Sequence, residues 1–380
     1  MEQVRGAESR LRERLRELVE IESPSDDREA VNRAADRVVD WARDLGAEIL
    51  RHPGGSFGDV VELRFGAGGS RKPVLVLGHL DTVYPAGTLA TMPWREVDAE
   101  DGVRLMGPGV VDMKAGVVMA LEAIAALRDL NALNRPVTLL LNPDEEVGSE
   151  VSRPHTERLA RESDAVFVLE PGQGLAYKTA RKGVGHFDLT VNGVAAHAGV
   201  DFASGHSAVL EMVRLAEQVS GWTDLAQGRT VNVGVIAGGT RSNVIAAQCR
   251  AEVDVRVVTM EDAARVEEMF RGLRTRDAAC TLQVQGGINR PPMERSAGAV
   301  RLFQRAQQLA AEIGLDLQEA ATGGGSDGNF TAAIGVPTLD GMGAVGGGAH
   351  SPGEYVVAAH LVERTALIAG MLQSELSSGR

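Results

Sequence analysis

The chain has 380 residues, a formal net charge of −13 and two cysteines, and 44% of its residues are hydrophobic. This length exceeds the usual size of one hydrophobic core, which predicts two domains. The acidic balance disfavours nucleic acid and anionic membrane as partners, and two cysteines exclude a disulfide scaffold, which favours a reducing, cytoplasmic location. The charged N-terminal stretch predicts no secretory signal, and no apolar run is long enough to cross a membrane.

The first part of the chain alternates predicted helices with apolar runs. Apolar residues at helical spacing predict helices over 8–22, about 27–45 and about 114–130. The apolar runs that predict buried strands are 60–65, 74–78, 137–141 and 165–169. Strands of this kind alternating with helices are typical of an α/β domain with a mostly parallel sheet and helices on both faces. In such sheets, sites form beyond the carboxyl ends of the strands.

From about Tyr177 the pattern changes to strands in which apolar and polar residues alternate. The predicted strands lie at 187–191, 230–236, 247–258 and 280–285, and the predicted helices at 205–219 and 261–275. This β-α-β-β-α-β order is typical of a ferredoxin-like α+β domain with an antiparallel sheet. We therefore predict an inserted dimerisation or lid domain over 178–289 and a catalytic domain formed by 1–177 and 290–380. Helices predicted at 299–313 and 358–376 complete the catalytic domain.

Metal-compatible side chains follow four apolar runs of the first part of the chain, which are 74–78, 104–106, 137–141 and 165–169. These side chains are His79, Asp81, Asp112, Asp144, Glu145, Glu146 and Glu170. A further imidazole, His350, lies in a glycine-rich loop. Histidines and carboxylates without thiolates suit one or two zinc ions or a similar divalent metal, and two adjacent acids allow one ligand and one general base. Acids after a strand also occur at solvated helix N-termini, so only the joint pattern indicates a hydrolytic metal site.

Six segments, in order along nearly the whole chain, carry a family resemblance. They are GHLDTVY, GPGVVDMKAG, NPDEEVGS, VLEPG, GVAAHAG and GGGAHSPGE. Together they resemble the signature of the dinuclear zinc peptidase family of aminoacylase, acetylornithine deacetylase, succinyl-diaminopimelate desuccinylase, carnosinase and glutamate carboxypeptidase. Within that family, the chain looks most like the bacterial glutamate carboxypeptidases of the carboxypeptidase G type.

The resemblance implies that two imidazoles and three carboxylates hold two Zn2+ ions per subunit. The ligands of one ion are His79, Asp112 and Glu170, and those of the other are Asp112, Glu146 and His350. In the family, the shared aspartate bridges the two ions and precedes a cis peptide bond. Co2+ or Mn2+ fit the same ligands.

The resemblance also implies roles in catalysis for three further residues. Asp81 hydrogen-bonds His79 and fixes its tautomer, and Glu145 is the general base for the metal-bridging water. His197, in the inserted domain, reaches across a homodimer interface and stabilises the oxyanion. Without the resemblance, His197 would be interpreted as an ordinary surface-loop histidine.

Substrate contacts are implied at Asn243, Arg256, Arg290 and the glycine-rich loop that contains Gly324, whose backbone contacts the substrate carboxylate in the family. Arg256 lies on the strand face opposite the apolar residues, so we expect it outside the core. A guanidinium suits a free carboxylate because it binds it bidentately. For Arg290, a salt bridge on the surface of a domain hinge is an open alternative. A neighbouring basic cluster that includes Arg181 is interpreted either as an aid to attracting an acidic substrate or as a solvated patch.

Together these features predict a metal-dependent hydrolase that cleaves an amide bond next to a C-terminal carboxylate by attack of a metal-bridging water. The substrate is an N-acyl amino acid or a small peptide, with C-terminal glutamate among the candidates. A biosynthetic N-acyl amino acid deacetylase or desuccinylase is the main alternative, because it shares the motifs. A catalytically silent binding protein of the same fold is expected to lack Glu145 or a metal ligand, and the sequence retains all of them.

Overall fold

The computed structural model describes residues 6–66 and 71–374. The described chain divides into two compact units. The first unit runs to Ala180 and also contains Arg295–Ala321 and the chain from Ser326 onward, and the second contains Arg181–Glu294 and Thr322–Gly325. The assignment of one domain to catalysis and of the other to dimerisation stays a prediction. The predicted end of the last helix, at 376, lies outside the described residues.

Strands and helices alternate through the first unit and follow a ferredoxin-like order in the second. The strands are β1 (Glu48–His52), β2 (Val60–Phe65), β3 (Val74–His79), β4 (Arg95–Ala99), β5 (Gly102–Met106), β6 (Val137–Asn142), β7 (Ala165–Val168), β8 (Tyr177–Arg181), β9 (Gly183–Asn192), β10 (Thr230–Gly238), β11 (Gln248–Val257), β12 (Thr281–Arg290), β13 (Glu319–Thr322), β14 (Thr338–Leu339), β15 (Gly346–Gly347) and β16 (Tyr355–Val357). The α-helices are α1 (Glu8–Val19), α2 (Arg28–Asp44), α3 (Ala115–Asp129), α4 (Arg153–Glu162), α5 (Ala208–Ser220), α6 (Met260–Arg271), α7 (Ala297–Glu312), α8 (Gly328–Ala333) and α9 (Leu361–Gln373).

The first unit is built on a six-stranded sheet with the spatial order β1-β2-β6-β3-β7-β14. Strands β6, β3, β7 and β14 run parallel, and β2 and β1 extend the sheet antiparallel at one edge. The predicted mainly parallel α/β fold is confirmed. In the register of β3 and β6, His79 pairs with Asn142, so both strands end at the same edge of the sheet.

Helix α3 is the central helix of this unit, and every residue from Ala115 to Leu127 is buried. A helix that is apolar all round is typical of a position surrounded by other elements. The one acid in this stretch, Glu122, is neutralised by Arg10 and Arg14 of α1, with nearest N–O distances of 2.6 Å. This ion pair joins the N-terminal helix to the core.

The second unit has a four-stranded antiparallel sheet with the order β10-β11-β9-β12. Alternate residues of β9 and β11 are buried together with one face each of α5 and α6, and Phe187 stacks on Phe270 with ring centroids 3.7 Å apart. Both helices therefore cover the same face of the sheet, as the ferredoxin-like order predicts. Strand β12 reaches Arg290, so the predicted end at 285 is too early.

A second small sheet, β15-β16-β5-β4, completes the first unit and carries the glycine-rich loop before His350. Over 6–66 and 71–374, every helix is either too short or too polar to be a candidate for crossing a membrane.

Candidate metal centre

Seven predicted site residues gather at the carboxyl edge of the six-stranded sheet. His79 ends β3, Asp81 follows two residues later, and Glu170 lies two residues after β7. Glu145 and Glu146 open a single 3-10 turn just after β6. Asp112 lies in the irregular turn before α3, and its peptide bond to Met113 is cis, as predicted. His350 follows β15 in the left-handed backbone region, with φ at 61°.

His79 is buried, with 1% of its surface exposed. Its Nδ1 lies 3.0 Å from the carbonyl oxygen of Asp81. Because a carbonyl oxygen only accepts, Nδ1 carries the proton, and the lone pair of the neutral ring is on Nε2. That Nε2 lies 3.1 Å from Asp112 Oδ1 and 3.8 Å from Glu170 Oε1. The ring therefore presents the nitrogen that carries its lone pair to two carboxylates.

His350 makes a similar approach from another loop. Its Nε2 lies 3.3 Å from Asp112 Oδ2 and 3.2 Å from Glu146 Oε2. The Asp112 carboxylate thus directs one oxygen to each imidazole. This is the contact pattern expected of a carboxylate that bridges two cations.

The donor set fits divalent metal ions. A neutral Nε2 and a carboxylate both accept, so each of these contacts requires a proton or a cation between the partners. Two ligand atoms on one tetrahedral zinc ion at about 2.0–2.1 Å lie about 3.3 Å apart, close to the nitrogen–oxygen distances of 3.1–3.3 Å for Asp112 and Glu146. Among the described residues, potential ligand atoms of His79, Asp112 and Glu146, and those of His79, Glu145 and Glu170, also lie within 4.8 Å of one another. The division of ligands between two ions stays a prediction.

The carboxylates of the site also favour positive charge on the neighbouring imidazoles. Hydrogen bonds to Asp112 and Glu146 raise the pKa of His350 to about 10. Burial lowers the pKa of His79, but hydrogen bonds to Asp112 and Asp81 outweigh it and raise that pKa well above its usual value. Burial raises the pKa of Asp112, but the two imidazoles outweigh it and lower that pKa. Without a metal ion, the centre therefore takes up protons.

The Asp81 carboxylate holds the turn that carries the two adjacent acids. Its Oδ1 accepts from the Glu145 amide at 3.2 Å, and its Oδ2 accepts from the Glu146 amide at 3.1 Å and from the Ser25 hydroxyl at 2.8 Å. The predicted contact with His79 is longer, at 3.4 Å from Nδ1 to Oδ1. Asp81 therefore orients the predicted general base as well as the first histidine. Ser25 was not among the predicted site residues.

Five predicted residues belong to the second unit. His197 is exposed, and its Nδ1 accepts from the Gly199 amide at 3.1 Å, so the neutral ring carries its proton on Nε2. The next residue, Ala198, donates its amide to the Asn243 carbonyl at 3.0 Å. His197 and Asn243 therefore lie on adjoining loops, and His197 presents a hydrogen-bond donor to solvent.

The other three lie around the segment Thr322–Gly325. Arg256 donates to both oxygens of Asp254 at 2.9 Å and to the Gly323 carbonyl at 3.4 Å. Arg181, which was not among the predicted substrate contacts, donates to the carbonyls of Gly324 and Gly325 at 3.2 and 3.1 Å. Arg290 packs against Gly325 and is buried, with 7% of its surface exposed. Arg290 is therefore not a solvent-exposed side chain, and the choice between a substrate contact and a salt bridge at the domain hinge stays a prediction.

A mainly parallel α/β unit with convergent histidines and carboxylates at its carboxyl edge, and a ferredoxin-like insertion, defines a metal-dependent hydrolase. The sequence model of Peptidase family M20/M25/M40 matches residues 75–374. The chain belongs to this family and is a metallopeptidase-type enzyme.

Similar proteins include both peptidases and a deacetylase. The chain is 29% identical over 377 residues to carboxypeptidase G2 of Pseudomonas sp. (strain RS-16), covering 96% of this chain and 89% of that protein. It is 28% identical over 332 residues to acetylornithine deacetylase of Myxococcus xanthus, covering 82% of each. The crystal structure of aminopeptidase PepT from Bacillus cereus ATCC 10987 has a TM-score of 0.81 at 21% identity, covering 96% of this chain and 98% of that one.

Proposed function

We propose that this enzyme is a dinuclear metal hydrolase that cleaves the amide bond next to a C-terminal carboxylate in an N-acyl amino acid or small peptide. The observation that carries the proposal is the Asp112 carboxylate, whose oxygens lie 3.1 and 3.3 Å from the Nε2 atoms of His79 and His350. A shared carboxylate between two imidazoles supports a centre for two ions rather than one.

Five side chains would hold the ions: His79, Asp112, Glu146, Glu170 and His350. When bound, the metal ions polarise the scissile carbonyl and lower the pKa of a water molecule. Zinc suits these ligands best, and cobalt or manganese fit them too. The metal ions would then balance the negative charge of the acids in place of protons on His79 and His350.

Glu145 would act as the general base. Its backbone amide is held by Asp81, and a potential ligand atom of Glu145 lies within 4.8 Å of those of His79 and Glu170, so its carboxylate is close to the proposed centre while Glu146 approaches His350. A carboxylate in this position takes the proton from the attacking water and passes it to the leaving amine nitrogen. Proton transfer of this kind contributes about 10²–10⁴-fold to a rate.

His197 would stabilise the oxyanion in the site of a second copy of the chain. Its Nε2–H is the kind of donor that such a role needs. A homodimer formed through the second unit is supported by the edge strand β10, on which Val235 and Ile236 are 41% and 49% exposed. Unpaired edges and apolar side chains of this kind favour pairing with another chain.

Arg256, Arg290, Asn243 and the backbone at Gly324 would bind the substrate carboxylate. The support is the gathering of guanidinium groups around Thr322–Gly325, which supplies positive charge on an otherwise acidic chain. Glutamate is a candidate for the C-terminal residue because one relative is a carboxypeptidase of the G type. A reducing, cytoplasmic location is also proposed, since Cys249 and Cys280 are free thiols.

An N-acyl amino acid deacetylase is the second candidate, and the similarity to an acetylornithine deacetylase favours it. Turnover of a panel of N-acetyl, N-succinyl and N-benzoyl amino acids and dipeptides, each with Zn2+, Co2+ or Mn2+, separates the two. Release of C-terminal glutamate from several acyl groups supports the carboxypeptidase, whereas strict dependence on a small acyl group supports the deacetylase. Glu145→Gln is the matched control, and normal turnover by this variant with metal bound would refute the mechanism.

A further inference from the structure

Glu354 is a buried carboxylate close to the metal centre that the proposed mechanism does not use. It lies four residues after His350, at the start of β16, and none of its surface is exposed. Glu354 is the last residue of the GGGAHSPGE segment, and no role was predicted for it. The buried Lys114 interacts with this carboxylate electrostatically but donates its own hydrogen bond to the Ile21 carbonyl, so the buried acid depends on other hydrogen-bond donors.

The donors are the backbone amides of the turn that carries Asp112. Glu354 Oε1 accepts from the amides of Val111 at 2.8 Å and Asp112 at 3.1 Å. Its Oε2 accepts from the amide of Gly109 at 3.1 Å. The amide of Asp112 itself is thus held by a carboxylate from a segment 242 residues away in the chain.

Tyr84 links the same carboxylate to the His350 loop. Its hydroxyl lies 2.6 Å from Glu354 Oε2 and 2.9 Å from the carbonyl oxygen of Ser351, the residue after His350. A phenol has one proton, so Tyr84 shares it between the two oxygens. Glu354 therefore contacts the backbone of one predicted ligand directly and the backbone next to another through Tyr84.

We propose that Glu354 is a positioning residue that holds the turn of Asp112 against the loop of His350. In this role Glu354 fixes the position of the Asp112 carboxylate, so that each of its oxygens lies close to one imidazole. The inference rests on the proposed metal centre and adds residues outside its ligands. Glu354 contacts neither the substrate nor the metal ions, so its effect passes through Asp112 and His350.

The test compares Glu354→Gln with Glu122→Gln. Both residues are buried glutamates of the first unit, but Glu122 pairs with Arg10 and Arg14 on α1 and contacts no ligand loop. An amide at position 354 keeps one acceptor and turns an NH2 group toward donors. The measurements are Zn2+ affinity of the apoprotein by chelator competition, thermal unfolding in EDTA, and kcat and KM of the zinc-loaded enzyme.

We expect Glu354→Gln to weaken binding of Zn2+ by about 10- to 100-fold and to lower kcat with little change in KM. Tyr84→Phe should change both quantities in the same direction by less. Glu122→Gln should lower the unfolding temperature in EDTA and leave Zn2+ affinity unchanged. If Glu354→Gln does not fold, Tyr84→Phe decides the question by the same measurements.

Two results would overturn the inference. Unchanged Zn2+ affinity in Glu354→Gln, with a loss of thermal stability like that of Glu122→Gln, would make Glu354 merely structural and leave the proposed function intact. A wild-type protein that binds no Zn2+, Co2+ or Mn2+ would refute the proposed function and this inference together.

Discussion

Replacing Asp81 by asparagine should disable the turn that carries the general base while leaving the ligands in place. The Asp81 carboxylate accepts three hydrogen bonds, from Ser25, Glu145 and Glu146, at 2.8–3.2 Å. The asparagine oxygen can take the Oδ2 position and keep the bonds from Ser25 and Glu146, but its NH2 group then faces the Glu145 amide. One hydrogen bond to a charged group is lost, which costs about 1.5–3 kcal/mol.

If the lost hydrogen-bond energy raises the free energy of the transition state by the same amount, kcat falls by about 10- to 150-fold. KM should change little, because Asp81 is fully buried. Steady-state kinetics with metal content measured on the same sample is the assay. Ser25→Ala, which removes one donor to Asp81 but leaves both bonds to the turn amides in place, should lower kcat by less than Asp81→Asn does. A fully metal-loaded Asp81→Asn enzyme with kcat within about twofold of wild type would refute the reasoning.

Three further outcomes follow from the site and the fold. His197→Ala should lower kcat by about 10²–10³-fold with unchanged zinc content, and a parallel loss of zinc would contradict its assignment to the oxyanion. Removing metal with EDTA should lower the unfolding temperature, because the acids of the centre lose their counter-charge, and added Zn2+ should restore it; calorimetry in both states checks this. Burial raises the pKa of Glu62, but bonds from His52, Arg64 and Arg158 outweigh it and lower that pKa below its usual 4.5. The contribution of the Glu62 carboxylate to stability is therefore present above the unfolded-state pKa and is lost as pH falls through the folded-state pKa. Glu62→Gln should be less stable than wild type at pH 7, as measured by urea unfolding. This difference in the free energy of unfolding should narrow below about pH 4.

The central strands were predictable because their sequences carry the signal locally. Val74–His79 and Val137–Asn142 are nearly unbroken apolar runs, and each is buried along its whole length. Predicted ligands follow the ends of these strands, and they lie close together because parallel strands end at the same edge of a sheet. Helix α4 was missed, since half of its ten residues are charged and only Thr156, Leu159 and Ala160 are buried. Strand β1 was missed because it is a half-exposed edge strand.

The residues that hold the site together had no local signal. Ser25 meets Asp81 across 56 positions, and Glu354 meets Gly109 across 245. A buried polar side chain looks the same in sequence as a solvated one until the tertiary fold supplies its donors. The resemblance to a family implied a set of ligands and catalytic side chains, but it implied no role for Ser25, Tyr84 or Glu354.

Asp81 and Glu354 each accept hydrogen bonds from two consecutive backbone amides of a turn, and this similarity can be tested directly. Each buried carboxylate accepts the amide of a predicted ligand, Glu146 at 3.1 Å and Asp112 at 3.1 Å, and the amide of the preceding residue. Amide hydrogen exchange should therefore show two separable protected pairs. Asp81→Asn should speed exchange at Glu145 and Glu146 and spare Val111 and Asp112, and Glu354→Gln should do the reverse. Equal loss of protection at both turns in either variant would show that the centre opens as one cooperative unit rather than through two independent anchors.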